Sequence, residues 1–147
     1  MRLLLAAATA AAVSSCCTPA YAAVPDLLTA LERGGATVAL NGHLCSRGLY
    51  GAYYEKSQTV VICLNKHKGD LDELEDTIKH EAMHHVQQCA GGPIYKSDFI
   101  RSKATPKDLS TLKLYPPSEH AHELEAKVIA REASVSDVVW LINRFCN

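Results

Sequence analysis

Residues 78–92 read IKHEAMHHVQQCAGG, and inside them HEAMH places His80 and His84 four positions apart with Glu81 between them. A helix advances about 100° per residue, so the two imidazoles lie about 40° apart and share one side. Two imidazoles one turn apart can ligate a single Zn²⁺. Glu81 is rotated to the edge of that face. It is badly placed to share the metal, but it can reach a water there and take its proton. The pattern therefore points to metal-assisted hydrolysis. Two blander readings compete: a pair of solvated histidines, and a closed structural zinc site, which would have no use for Glu81.

The element that must carry these groups is a helix over 71–90. Asp70 is its expected cap, and Gly91-Gly92-Pro93 its stop. On it Leu71, Leu74, Ile78, Ala82, Val86 and Cys89 form an apolar face, and His85 points to the same core side. Thr77, Gln87, Gln88, Glu73 and Asp76 share the polar half with His80 and His84. Such a helix buries one face and turns its histidines into a cleft or solvent. A catalytic zinc takes three protein ligands and keeps one position open. The segment SEHAHELEAKVIARE, which Ser118 is expected to cap as a second helix, offers Glu119, His120, His122, Glu123 and Glu125. Glu123 shares its side with Ala126 and Ala130, small residues that permit close helix approach, and is the preferred third ligand. Glu125 points elsewhere and stands in reserve. Tyr115, just upstream, could polarise a carbonyl, whereas Tyr53 and Tyr54 read as strand packing. His120 and His122 read as surface residues.

HEAMH at 80–84 followed by ELEA at 123–126 resembles the gluzincin clan of zinc metallopeptidases. In that clan an HExxH helix precedes a second helix that supplies a glutamate, often within ExxA. The chain also resembles small uncharacterised phage and cyanobacterial proteins in which a cysteine-bounded hairpin precedes an HExxH helix. The resemblance covers about residues 80–138. It implies Zn²⁺ held by His80, His84 and Glu123, with Glu81 as general base, in a minimal zincin-like metallopeptidase domain. The clan's common Asp after the Ala is Lys127 here, so that supporting carboxylate is missing or supplied elsewhere.

The N-terminus reads as a leader. MRLLLAAATAAAVSS has one Arg before a short apolar run, and AYAAVP offers a cleavage site after Ala22, so residues 1–22 are expected to be a signal peptide and 23–147 a single domain. VSSC at 13–16 also resembles a lipobox, which would anchor the chain by lipid at Cys16. Without Cys16 and Cys17 four cysteines remain, an even number suited to two disulfides in an exported protein. Of the three pairings, Cys45 with Cys63 and Cys89 with Cys146 are preferred: a local clip, and a tie from the motif helix to the C-terminus. No CxxC pair remains to suggest zinc ligation by cysteine.

The rest of the chain is expected to give an α+β fold, with a short antiparallel sheet packed on a helical half. PDLLTALERGG at 25–35 reads as a helix from Pro25 to the glycines, and ATVAL at 36–40 as a strand. LYGAYYE (49–55) and QTVVICL (58–64) read as a hairpin, and NKHKGD (65–70) as a polar turn. Residues 94–117 hold one expected helix, capped by Thr105 with Pro106 at its first position. The last helix follows Ser136, with Val138, Val139, Leu141, Ile142 and Phe145 in the core. In 147 residues with net charge −1 and no basic run, nucleic acid is a poor partner, and the mature chain holds no transmembrane segment. The sequence thus points to a monomeric, secreted or periplasmic (cell-envelope) zinc endopeptidase acting on peptides or proteins. The alternative is a catalytically silent, zinc-stabilised binding module on the cell surface, lipid-anchored at Cys16.

Overall fold

The computed structural model describes residues 19–147. The expected leader lies outside the described residues except for its last four, and Cys16 and Cys17 lie outside them altogether. The architecture is α+β: among the described residues there are seven α-helices and one three-stranded sheet. In chain order come α1 (Pro19–Arg33), β1 (Thr37–Leu40), β2 (Gly51–Tyr54), β3 (Thr59–Ile62) and α2 (Leu64–His67), followed by α3 (Leu71–Ala90), α4 (Ser97–Lys103), α5 (Pro106–Thr111), α6 (His120–Glu132) and α7 (Val135–Phe145).

α3 is the axis. Asp70 accepts a hydrogen bond from the Glu73 amide at its start. Gly91 closes it at φ 81°, a left-handed conformation that favours glycine, and the Gly91 and Gly92 amides return to the carbonyls of Gln88 and Gln87. α1, α6 and α7 pack around α3, and the sheet lies against it through β2 and β3. The main core joins Leu27 and Leu31 of α1, Val60 and Ile62 of β3, Met83 of α3 and Ile142 of α7. Leu71, expected in this core, is 40 % exposed because it opens α3 beyond the reach of its neighbours. Phe145, at the far end of α7, is likewise partly exposed, while Val138, Leu141 and Ile142 are buried.

The sheet corrects the expectation of an antiparallel one. β2 and β3 form the expected antiparallel hairpin, but β1 pairs parallel to β3, in the order β1-β3-β2. The chain leaves β1, crosses the end of β3 in a 3-10 turn (His43–Arg47), descends β2 and returns up the middle. Cys45 in that crossing bonds to Cys63, just beyond β3, and pins the crossover to the strand it passes. Cys89, near the end of α3, bonds to Cys146 behind α7. Both pairings are those preferred from the sequence.

Several boundaries move. α1 begins at Pro19, so Pro25 lies inside it and forfeits one backbone hydrogen bond rather than starting the helix. Residues 64–67 form a helical turn with His67 buried, not a purely polar turn. The segment after Gly92 holds two helices, α4 and the Thr105-capped α5. α6 starts at His120, after a 3-10 turn over Pro117–Glu119, so Ser118 is not its cap. α7 is capped by Ser134 rather than Ser136: the Ser134 hydroxyl accepts from the Asp137 amide, and the Asp137 carboxylate accepts from the Ser134 amide. The S-x-x-D spacing that selects Ser134 was present in the sequence.

The two disulfides close loops of different length, with separations of 18 and 57 residues. Loop-closure entropy grows with that length, so replacing Cys89 and Cys146 by Ala is expected to cost about 4 kcal/mol, against about 3 kcal/mol for Cys45 and Cys63. Denaturant unfolding of the two double variants checks the order.

Candidate metal centre

The histidine-bearing side of α3 meets α6. His80 Nε2 and His84 Nε2 lie 3.1 Å apart. Glu123 of α6 sets Oε1 3.2 Å from His84 Nε2 and Oε2 3.5 Å from His80 Nε2. A tetrahedral ion with bonds near 2.0–2.1 Å holds its ligand atoms about 3.3 Å apart. The two imidazole nitrogens and the Glu123 carboxylate lie in this range, the carboxylate meeting each histidine with a different oxygen, and together the three side chains could hold a metal ion. Glu123 Oε2 is buried without a hydrogen-bond partner, a cost that a bound cation would remove.

The neighbours of His84 decide which of its nitrogens faces that point. The Gln87 amide nitrogen donates to the His122 carbonyl (3.0 Å) and to Glu125 Oε2 (2.9 Å), two groups that can only accept. Gln87 Oε1 must then face His84 Nδ1, 3.0 Å away, and accept its proton. A neutral His84 so held presents an unprotonated Nε2 toward His80 and Glu123. Hydrogen bonding of the outer ring nitrogen is how metal-binding histidines are ordinarily oriented. Glu125, the reserve ligand, is therefore committed elsewhere: it is fully buried and also accepts the amides of Ile94 (2.9 Å) and Tyr95 (2.7 Å). Through Gln87, Glu125 is linked to His84 by two hydrogen bonds. The sequence places Gln87 on the polar half of the helix with the histidines, facing a cleft or solvent; it is 2 % exposed, bonded across to α6.

Glu81 is 7 % exposed and sits under β2. At Gly51 a Cβ would stand 3.0 Å from Glu81 Cγ, 3.1 Å from Glu81 Oε1 and 2.8 Å from Thr77 Cγ2, so only glycine lets the strand approach this closely. Burial raises the Glu81 pKa, and the Glu123 charge adds to this; the charges of His80, His84 and Lys127 oppose the rise without cancelling it. Tyr115 lies on the same side. Its hydroxyl is pushed up to about 12 by burial, by the charges of Glu123 and Glu81 and by a hydrogen bond to Glu123, so it stays a proton donor. The His120 ring lies 3.0 Å from the Tyr115 carbonyl through Nε2 and holds that turn in place, a role beyond the surface position expected for it. Lys127 Nζ stands 5.4 Å from the Tyr115 ring centroid.

A cleft of about 590 Å³ opens on His84 and Glu123, between Tyr53 and Glu55 on one wall and Ser118 and Glu119 on the other. A larger groove of about 700 Å³ between α1 and α7 touches none of these residues. His85, Cys89 and Cys146 form a second cluster of ligand types, but both sulfurs are engaged in the disulfide. His85 sits in the core as expected, with Nε2 2.9 Å from the Gly34 carbonyl and Nδ1 3.1 Å from the Tyr53 hydroxyl. Tyr53 thus links the strand to α3 through His85, and also through Gln88.

The fold and this two-histidine, one-glutamate cluster define a small disulfide-linked α+β domain that could hold a metal. The chain belongs to the family described as a domain of unknown function (DUF8637), whose model matches residues 21–147. No curated protein and no solved structure matches it. No helix among the described residues is long and apolar enough to cross a membrane. The two disulfides suit an oxidising compartment.

Two outcomes follow from these hydrogen bonds and charges. Gln87→Leu is expected to lower affinity for a divalent ion by about 10- to 100-fold, read by competition with a chelating dye. The second concerns pH. Burial opposes ionisation of Glu123, but the neighbouring imidazoles of His80 and His84 outweigh it and hold the carboxyl below its ordinary 4.5. Burial lowers the His84 pKa, yet its hydrogen bond to Glu123 and the charges of Glu81 and Glu123 hold it above 6.5 overall. In metal-free protein the Glu123 share of stability is complete above pH 4.5 and fades below it. The His84 share is complete below pH 6.5 and is lost as pH rises through the raised value. Melting curves in chelator should therefore fall toward alkaline pH, whereas metal-loaded protein should gain stability there, because ligation needs unprotonated imidazoles.

Proposed function

We propose that the protein is a zinc-dependent endopeptidase of the gluzincin type, exported to the periplasm, cell envelope or medium. The observation that carries this reading is the spacing of His80, His84 and Glu123, with the buried carboxylate of Glu81 next to His80 on the same helix. His80, His84 and Glu123 would hold Zn²⁺, whose donor set of two nitrogens and one carboxylate oxygen suits that ion. When bound, the ion supplies a Lewis acid that polarises a carbonyl and acidifies water.

The chain's own residues do the rest. Glu81, its affinity for a proton raised by burial, takes the proton of the attacking water on a carboxylate oxygen and returns it to the departing amine nitrogen. Gly51 lets β2 press on Glu81 and fixes where that oxygen sits. The Tyr115 hydroxyl, protonated throughout the neutral range, donates to the carbonyl oxygen as negative charge gathers there. Gln87 and Glu125 keep His84 aimed.

Digestion of a peptide library by zinc-loaded protein tests the reading, with Glu81→Gln as the companion variant. Glu81→Gln is expected to lower kcat by about 10³-fold while zinc content stays at one ion per chain by elemental analysis. No cleavage by wild-type protein that carries its zinc would instead favour a zinc-stabilised binding module. Gly51→Ala is expected to lower kcat about 10- to 100-fold at unchanged zinc content, by displacing Glu81 rather than the ligands.

A further inference from the structure

The sheet ends in an exposed apolar patch that the candidate centre does not use. Leu40 of β1 and Gly51 of β2 both pair with Ile62 of β3, so the three strands reach one level there. Beyond that level the chain is tied across itself. The Cys63 amide donates to the Tyr50 carbonyl (2.9 Å), the Asn65 amide donates to Asn41 Oδ1 (3.2 Å), and Cys45 bonds to Cys63. The Tyr50 and His67 rings meet at 5.2 Å between centroids, and the Asp70 amide donates to the His67 carbonyl just before α3 opens. Leu40, Leu49, Tyr50, Leu64 and Leu71 are thereby gathered at one end of the domain, each between 37 % and 50 % exposed. They are five of the eleven large apolar side chains exposed among the described residues. Single exposed leucines are ordinary, but five such side chains from four segments make a patch of the kind that marks a contact surface.

The same end is basic. Residues 40–50 and 63–71 carry Arg47, Lys66 and Lys68 against Asp70 alone, on a chain whose net charge is −1. None of the three cations makes an ion pair among the described residues. Asp70 is occupied as the cap of α3; Asp72 and Glu73 follow on that helix, with Glu73 turned to His67 Nδ1 at 3.4 Å. Apolar side chains among unpaired cations are complementary to a bilayer surface that carries anionic headgroups. The apolar groups enter the boundary of the acyl chains, and the cations meet the phosphates. A second copy of the chain fits worse, because a two-fold pairing of this end would set its basic residues against themselves. The cross-tied backbone presents the patch already formed, so docking orders little chain.

We infer that this end of the domain docks on a membrane surface bearing anionic lipids, with Leu49, Tyr50 and Leu64 in the interface and Arg47, Lys66 and Lys68 on the headgroups. The attachment is peripheral, made by side chains at the end of the sheet rather than by a spanning helix. Gly51, which roofs Glu81, directly follows Tyr50, so docking sets the candidate centre beside the bilayer. The inference stands whether or not that centre cleaves peptides.

Sedimentation with lipid vesicles tests it. The protein is recovered after export from a chain carrying Cys16→Ser, so that no acyl anchor at that position contributes. It is mixed with vesicles of phosphatidylcholine alone, or of phosphatidylcholine and phosphatidylglycerol in equal parts. Binding to the mixed vesicles is expected to be about 100-fold tighter, at about fivefold for each of the three cations, and to weaken in high salt. Arg47→Gln, Lys66→Gln and Lys68→Gln together should remove that preference. Leu49→Ser with Leu64→Ser should weaken binding more than about tenfold, circular dichroism showing that each variant is folded. The single tryptophan, Trp140 on α7, reports on another part of the surface. Lipids brominated in their acyl chains should leave its fluorescence unchanged, but should quench a chain carrying Leu49→Trp and Trp140→Phe. No binding to the mixed vesicles, equal binding to both kinds, binding that survives either set of substitutions, or quenching of Trp140 in the unsubstituted surface would each overturn the inference. Self-association that Leu49→Ser and Leu64→Ser abolish, without vesicle binding, would overturn it in favour of a second copy.

Discussion

The contact between α3 and α6 is the constraint on which the site depends. His80 and His84 share a face because they are one helical turn apart, but a shared face is only an edge of a coordination site. The third group of the cluster comes from Glu123, 39 positions after His84, and reaches it only because the two helices pack closely. Ala126 and Ala130 are buried on α6 and keep that approach short. The buried bonds from Gln87 to Glu125 and the His122 carbonyl then lock the two helices in rotation as well as distance.

Around that contact the structure holds its polar groups in a graded way. Glu125 and Gln87 lie deepest, with every buried bond made, and act as a frame. Glu81 is buried but raised in pKa, a state suited to taking and releasing a proton rather than to a permanent ion pair. Glu123 is held ionised by the two imidazoles and keeps one oxygen unpartnered. Glu81 and Glu123 thus shift in opposite directions, set by burial and by the groups each one meets.

The disulfides serve the same arrangement from its edges. Cys89 with Cys146 ties the end of the histidine helix to the last helix of the chain, and Cys45 with Cys63 keeps the crossover over β3 so that β2 stays against α3. β2 matters because Gly51 is the roof above Glu81. In a domain of this size the core supplies limited stability, and such cross-links make up part of the difference.

The sequence by itself determined the local features: the capped and glycine-stopped helix over 71–90, the hairpin, the sharing of one face by His80 and His84, and an even set of export-suited cysteines. Those follow from spacing and propensity, which act over a few residues. It also narrowed the third candidate ligand to a single helix, where the small residues beside Glu123 told in its favour. What only the tertiary structure decided lies in contacts between distant segments. These are the parallel pairing of β1 with β3, the burial of Gln87, the diversion of Glu125 to the Ile94 and Tyr95 amides, and the fit of Gly51 over Glu81. A helical wheel treats Gln87 and the histidines as one polar face. Whether that face meets water or a second helix is set by packing, which no local pattern in one chain records.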